Sequence, residues 1–297
     1  MPRHTVVAAG RTLALGDRPW LMGIVNASPD SFSDTGEDPD LDARVQRGAA
    51  LLQAGADIVD VGGESAITLR PPVPVAEEID RVVPLVRRLV GELDAIVSVD
   101  TYKPAVAEAA IAAGAVIVND VSGLRDPELA AVCARTGAAL VLMHTRAAPK
   151  QRLQDPALYE DVVADVFDFL AERMQVARDA GVGDEQLILD PGPDFAKTPA
   201  QTVTLLSNLA ALHELGRPLL LAVSRKDFVG ALTRRAPADR LAGTLAAIGH
   251  GVDAGAHILR VHDVAAAADF LAVRTALRGQ AAVDPRLALD DAIRHAR

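Results

Sequence analysis

The chain has 297 residues, half of them hydrophobic, with 30 Lys and Arg against 40 Asp and Glu and a formal net charge of −10. A chain this long and this apolar buries a full core, and its acidic balance argues against broad nucleic-acid or anionic-membrane binding. The one cysteine, Cys133, excludes a disulfide framework and a cysteine-based structural zinc site. No apolar run is long enough to span a bilayer and no secretory signal pattern opens the chain, so a cytoplasmic globular protein is expected.

A short lead-in over 1–18 precedes a repeating arrangement that fills 19–280, and 281–297 reads as a tail. Each repeat is a short aliphatic or β-branched run ending in polar residues or Gly, followed by an Ala/Leu-rich helical stretch. In chain order the strand candidates are 21–26, 57–65, 95–101, 115–123, 139–145, 187–192, 219–226 and 257–263. Helix-like spacing appears over 43–53, 75–91, 105–113, 127–136, 159–180, 199–215, 238–254 and 264–277. The strand runs are continuously apolar, as strands buried on both faces should be. Eight β/α units in a single domain predict an α/β fold, a (β/α)8 barrel; no glycine-rich nucleotide loop follows the first strand to favour an open doubly wound sheet.

Asn26, Asp60, Asp100, Asn119, His144, Asp190, Ser224, Lys226, Arg260 and His262 all fall at or near the C-terminal end of a strand candidate. In a barrel those ends converge on the face where active sites sit. Polar residues mark strand ends in any protein because chains turn there. Charges inside apolar runs, such as Asp100 in IVSVD and Arg260 in ILRVH, are different: an unpaired buried charge costs several kcal/mol, so these need partners or a ligand. The loop from Asn26 to Asp34 gathers hard oxygen donors of a kind that suits magnesium and a phosphorylated substrate, but on composition alone an ordinary polar turn with Asx hydrogen bonds is the stronger reading. Cys133, inside a helical stretch, reads as a packed small apolar residue.

That loop, Asn26-Ala-Ser-Pro-Asp-Ser-Phe-Ser-Asp34, closely resembles the first signature of the dihydropteroate synthase family of pterin-binding barrels. Further signatures follow in order: Gly62-Gly-Glu-Ser65, Ser98-Val-Asp-Thr-Tyr-Lys103, Asn119-Asp120, Asp190-Pro-Gly192 with Phe195-Ala-Lys197, Ser224-Arg-Lys226 and Arg260-Val-His-Asp263. The resemblance implies condensation of a hydroxymethyl-dihydropterin pyrophosphate with p-aminobenzoate, releasing pyrophosphate. It implies that Asp100, Asn119 and Asp190 read the pterin edge, that Lys226 supports the ring, that Met143 forms an apolar floor, and that Phe195 touches substrate. Arg260 and His262 would bind phosphate and Asn26 would ligate Mg2+; with Lys226 these form the expected catalytic set. The task of the site would be to stabilise the leaving anion and shield a pterin-methyl cation from water. A homodimer is also implied, and no nucleic-acid or membrane partner.

Five positions depart from the family pattern, clustered on the side of the second substrate. Ala66 and Ile67 replace Thr and Arg of the second loop, with Arg70 as a candidate substitute. Asp194 and Ala196 replace glycines, at a cost in backbone freedom. Asp227 stands where a Ser hydroxyl helps hold the p-aminobenzoate carboxylate. Two carboxylates about 4 Å apart repel by about 4 kcal/mol at an effective dielectric near ~20. That repulsion is avoided if Asp227 instead pairs with Arg225 or caps the helix that follows. The departures, with Lys226-Asp227 and Gly243-Thr-Leu-Ala-Ala, resemble a divergent second paralogue found in some bacteria. The alternative readings are therefore a pterin-binding paralogue with weak or no synthase activity and, ranked lower, a pterin-domain methyltransferase that carries a folate methyl group to a corrinoid.

Overall fold

The computed structural model describes residues 2–27, 41–64, 71–290 and 294. The expectations placed on Ser28 to Asp34 and on Ser65, Ala66, Ile67 and Arg70 lie outside these residues. A β-hairpin, β1 (His4–Ala8) and β2 (Arg11–Leu15), comes first. Then follow β3 (Trp20–Asn26), α1 (Leu41–Gln53), β4 (Ile58–Gly62), α2 (Val75–Leu93), β5 (Val97–Asp100), α3 (Pro104–Ala112), β6 (Ile117–Asp120) and α4 (Glu128–Thr136). The second half runs β7 (Ala139–Met143), α5 (Val162–Asp179), β8 (Leu187–Asp190), α6 (Pro199–Ser207), β9 (Leu220–Leu221), α7 (Asp227–Thr233), α8 (Leu241–Asp253), β10 (Ile258–Val261) and α9 (Val264–Leu277).

Strands β3 to β10 form one parallel sheet in the order β8-β7-β6-β5-β4-β3-β10-β9, and a bridge from Leu189 to Leu219 brings its two ends together. This is the expected single-domain (β/α)8 barrel. Side-chain parity divides it into two cores. Outward residues such as Val59, Val61, Val97, Val99, Leu140 and Leu142 pack under the helices. Inward residues near the strand starts (Met22, Ile58, Ile117, Val141, Ile188, Leu220 and Ile258) fill the lower lumen and meet Val6, Ala8, Leu13 and Leu15 of the hairpin. Two residues further along the same inward rows, the lumen turns polar: Asp60 follows Ile58, Asn119 follows Ile117, Asp190 follows Ile188 and Arg260 follows Ile258. The same alternation that builds the floor thus lifts the charged side chains into one upper layer.

Several local boundaries differ from the sequence expectation. The lead-in is the hairpin, whose turn places Ala9 and Gly10 at φ 47 and 82. Helix α5 starts at Val162 rather than 159, because the Asp161 carboxylate accepts from the amides of Val163 and Ala164 and fixes the N-terminus there. The helix expected over 199–215 breaks at Asn208 into a 3-10 turn over Leu209–Leu215. The strand expected over 219–226 shortens to Leu220–Leu221, and the chain turns at Ser224–Arg225, with Arg225 at φ 57. Cys133 is fully buried in α4, and burial pushes its thiol up to about 12, in keeping with a packing role.

Candidate active site

Register sets the geometry. Asn26 lies beside Gly62, Gly62 beside Asp100 and Asp100 beside Asn119, so four successive strands meet on one rung near their ends; Met143 lies beside Asp190 on the next pair. Above this rung opens a cavity of about 660 Å3. Asn26, Asp100, Asn119, Met143, Asp190, Phe195, Ser224, Lys226, Asp227, Arg260 and His262 line it, whereas Asp60 and His144, also expected at strand ends on this face, are buried behind it.

Arg260 is the hub of the cavity floor. Its Nε donates to Asp60 Oδ2 at 2.7 Å and its Nη2 to Asp100 Oδ2 at 2.7 Å. Burial works against its charge, but the two carboxylates hold the guanidinium firmly protonated. Asn119 Nδ2 also donates to Asp60 Oδ2, at 3.3 Å, which keeps the amide oxygen as an acceptor. Asp60 Oδ1 is buried with no partner among the described residues. Burial pushes the Asp100 carboxyl up to about 7; Arg260 pulls it down and Asp60 pushes it further up. Burial likewise raises Asp190, against the Gly192 amide that donates to its Oδ1 and the nearby Lys226. The floor is thus rich in acceptors whose charge is only partly compensated, a surface built for a ligand edge with several N–H donors.

The Asp190–Lys197 bend forms one wall. Gly192 is at φ 64, and a Cβ there would sit 2.0 Å from the His144 carbonyl oxygen, so no other residue fits. Asp194 and Ala196 adopt the left-handed conformation at φ 65 and 52, as the family's glycines at these positions led us to expect. Asp194 offsets that strain with bonds of its own: its carboxylate accepts from Thr202 Oγ1 at 3.0 Å and from the Phe228 amide at 3.1 Å. Phe195 faces Lys226, whose Nζ lies 4.2 Å from the ring centroid.

The opposite wall corrects two expectations about Asp227. Arg225 lines the cavity with its guanidinium bound at two points by Asp263 (3.0 and 2.7 Å). Asp227 pairs neither with Arg225 nor as the cap of α7; Asp194 accepts the Phe228 amide instead. Asp227 Oδ1 accepts from Arg240 Nη1 at 3.1 Å, and that same nitrogen donates to the carbonyls of Arg225 and Lys226. A Cβ on Gly230 would lie 2.3 Å from the Arg240 guanidinium, so a glycine at 230 makes room for it. Arg240 therefore braces the turn that carries Lys226 and offsets the charge of Asp227. His262 Nδ1 lies 3.0 Å from Ser224 Oγ, and burial beside Arg260 and Arg225 pushes the imidazole down to about 4. It is therefore neutral near pH 7.

A second cluster ties down the rim. Lys103 Nζ donates to Glu64 Oε2 at 2.7 Å, Glu78 Oε2 at 2.5 Å and the Val73 carbonyl at 2.7 Å, while Glu64 also accepts from the Val73 amide and from Tyr102. Sequence reasoning placed Glu64 and Lys103 in motifs without seeing this contact. It missed Arg240 entirely, since a partner 13 residues away across a turn leaves no periodic trace.

For magnesium, the donor set is sparse. No group of three or more His, Cys, Asp or Glu among the described residues could hold a metal ion. Asn26, which lines the cavity, offers one amide oxygen. A single protein oxygen suits only a magnesium that takes most of its shell from water and substrate phosphate, not an ion caged by protein alone.

An acceptor-lined floor under a cationic rim, at the C-terminal face of a (β/α)8 barrel, defines a barrel enzyme for a donor-rich ring that carries an anionic group. Comparison with known proteins is specific. The family described as "Pterin binding enzyme" matches residues 22–262. A dihydropteroate synthase of Synechocystis is 42% identical over 264 residues, 88% of this chain and 91% of the relative. The structure of Xanthomonas albilineans dihydropteroate synthase with 4-aminobenzoic acid superposes with a TM-score of 0.86 at 45% identity, covering 93% of this chain and 99% of that one. The same enzyme in complex with 7,8-dihydropteroate gives 0.82 at 44% identity, over 93% and 99%. The chain belongs to the dihydropteroate synthase family of pterin-binding enzymes.

Proposed function

We propose that the protein is a dihydropteroate synthase, condensing 6-hydroxymethyl-7,8-dihydropterin pyrophosphate with p-aminobenzoate in folate biosynthesis. The observation that carries this reading is the cavity lined together by the acceptors Asp100, Asn119 and Asp190 and the cationic or basic Lys226, Arg260 and His262. A pterin's amino and ring N–H groups supply donors to those acceptors, while Asp60 holds Arg260 from behind. The ring then lies against Met143, with Lys226 alongside.

With the pterin so held, its pyrophosphate points to the rim. Arg260 has N–H groups beyond those given to Asp60 and Asp100, and His262 takes up a proton as the dianion arrives. Both stabilise charge that grows on the leaving group, where fixed donors in a dry site act most strongly. The bound Mg2+ would supply Lewis-acid neutralisation of the pyrophosphate, with Asn26 as its protein ligand. The cationic pterin methylene is sheltered between Phe195 and the acidic floor until the aryl amine attacks from the side of Lys226 and Asp227. No covalent enzyme nucleophile is required.

The second reading, a paralogue with weak or no synthase activity, rests on the departures near the second substrate. Arg240 weighs against it, because its contact with Asp227 offsets the carboxylate that would repel p-aminobenzoate. The family resemblance also supports a homodimer acting in the cytoplasm. Leu232, Val273 and Leu277 are exposed on α7 and α9, and no helix among the described residues is long and apolar enough to cross a membrane.

The deciding experiment mixes purified protein, Mg2+ and the pterin pyrophosphate, with and without p-aminobenzoate, and follows both binding and product. Dihydropteroate formation that requires both substrates is expected. Tight pterin binding without product would select the paralogue reading, and absence of pterin binding would reject both.

A further inference from the structure

Among the described residues Lys197 is the bulkiest fully buried side chain, yet it does not line the cavity. No carboxylate among the described residues lies within ion-pair distance of it. Its ammonium instead meets three neutral acceptors: the Gly192 carbonyl at 2.9 Å, the Phe195 carbonyl at 3.1 Å and His144 Nδ1 at 2.7 Å. Three donors thus match three acceptors. Because Nδ1 accepts, His144 carries its proton on Nε2, which faces Asp165 Oδ1 at 2.9 Å. Asp165 is in turn gripped by Arg146 through two bonds of 3.0 and 2.7 Å. A continuous chain runs from the surface arginine to the underside of the bend that forms one wall of the cavity.

That bend has reason to need holding. Three of its residues are left-handed, two of them not glycine, at a cost of about 1 kcal/mol or more each. It sets Phe195 on Lys226, points Asp194 at the start of α7 and, through the Gly192 amide, orients Asp190. Tyr159 adds a bond to the Ala196 carbonyl at 2.9 Å.

Building on the synthase reading, we propose that Lys197 is a positioning residue: its three hydrogen bonds hold the 190–197 bend in the shape that receives the pterin, with the His144–Asp165–Arg146 chain aligning it from behind. The hold depends on pH. Burial pushes the Lys197 ammonium down to about 7; Asp190, Asp165 and Asp194 favour its charge and Lys226 opposes it. Burial, with Lys197 next, pushes His144 down to about 3, so it stays neutral throughout. Tyr159 is shifted upward by burial and stays protonated. Above pH 7 the neutral amine has two protons for three acceptors, so either a bond to the bend or the bond to His144 that aligns the lysine is lost.

The test measures binding of 6-hydroxymethyl-7,8-dihydropterin by calorimetry from pH 6.5 to 8.5 for the wild type, Lys197→Met and Asp165→Asn. In parallel, hydrogen exchange of the Gly192 and Phe195 amides is measured without ligand and corrected for intrinsic rates. Measured against Lys197→Met, in which the Asp100 titration is seen alone, wild-type affinity should fall about tenfold across this range while exchange accelerates. Lys197→Met should bind at least tenfold more weakly at pH 6.5, show no such fall with pH, and exchange fast throughout. Asp165→Asn removes a charge that favours the ammonium, so its midpoint should move to lower pH. Unchanged affinity and exchange in folded Lys197→Met would overturn the proposal. If Lys197→Met does not fold, an unmoved midpoint in Asp165→Asn would overturn it. A wild type that binds no pterin would reject the synthase reading, and the exchange measurement would still decide the role of Lys197.

Discussion

Asp100 and Asp227 are both carboxylates in one cavity, and their surroundings give them opposite behaviour. Asp100 is pushed up to about 7, so its proton competes with the pterin's N–H donors below that pH. Pterin affinity should therefore fall as pH drops from 7 to 5.5. Asp100→Asn should bind about 10- to 100-fold more weakly at pH 7.5, the cost of losing a charged acceptor, and lose most of this acid limb. Calorimetry at four pH values checks both. Asp227 is more than half exposed and paired with Arg240, so the bare repulsion of about 4 kcal/mol is heavily screened. Asp227→Ser should raise p-aminobenzoate affinity by no more than about tenfold. Arg240→Ala should lower it by at least as much, because it frees the carboxylate and removes the brace on the Arg225 and Lys226 carbonyls. Steady-state KM values for p-aminobenzoate decide. Asp100 and its neighbours were legible in the sequence because a charge inside an apolar run is tolerated only where a partner or a ligand meets it. Arg240 was not, since an arginine in a polar connection looks like any solvated charge.

The same contrast holds for whole elements. Barrel strands announce themselves as aliphatic runs because both faces are buried, and helix α9 was readable to the residue from its spacing. The hairpin β1–β2 escaped for a physical reason. Its turn is Ala9-Gly10 and not the Asn-Gly or Asp-Gly that signals a two-residue hairpin, and only two residues of each strand are buried. It nonetheless seals the lower lumen. Leu13 is 2% exposed against Met22, Ile58 and Ile117. Leu13→Ala should cost about 2–4 kcal/mol and lower Tm by several degrees. KM for either substrate should be unchanged, because the apolar layer separates the hairpin from the cavity. Thermal melts alongside steady-state kinetics test this separation. A large KM change would show that the floor and the cavity are coupled.

Across the molecule, the base of the barrel responds to acid. His257 sits between His4 and His213, with ring centroids at 4.9 and 5.8 Å, accepts the Leu219 amide on Nδ1 and faces the Pro2 carbonyl through Nε2. Burial pushes its pKa down to about 4 and lowers that of His4 as well. An imidazole with a depressed folded pKa binds its proton more readily when unfolded. Its contribution to stability is therefore complete above about pH 6.5 and is lost as pH falls toward 4. Urea denaturation at pH 7, 5.5 and 4.5 should show falling midpoints, and His257→Gln should flatten that fall; an equal slope in the variant would place the acid sensitivity elsewhere.

The wall of the barrel is not uniform. Between β8 and β9 the sheet is joined by a single bridge at Leu189 and Leu219 and by a strand of only two residues, whereas the β3–β4 ladder has five paired positions. This is a seam, and the catalytic cavity straddles it: Asp190 and Phe195 stand on one bank, Ser224, Lys226 and Asp227 on the other. The Phe195–Lys226 contact and the Asp194 bond to the Phe228 amide are stitches across the gap. A pterin that touches both Asp190 and Lys226 is a third stitch, so the substrate itself helps close the cylinder that binds it. Ligand occupancy should then slow the opening of this seam more than that of any other strand pair, which makes the enzyme mechanically tightest at the moment its chemistry most needs water kept out.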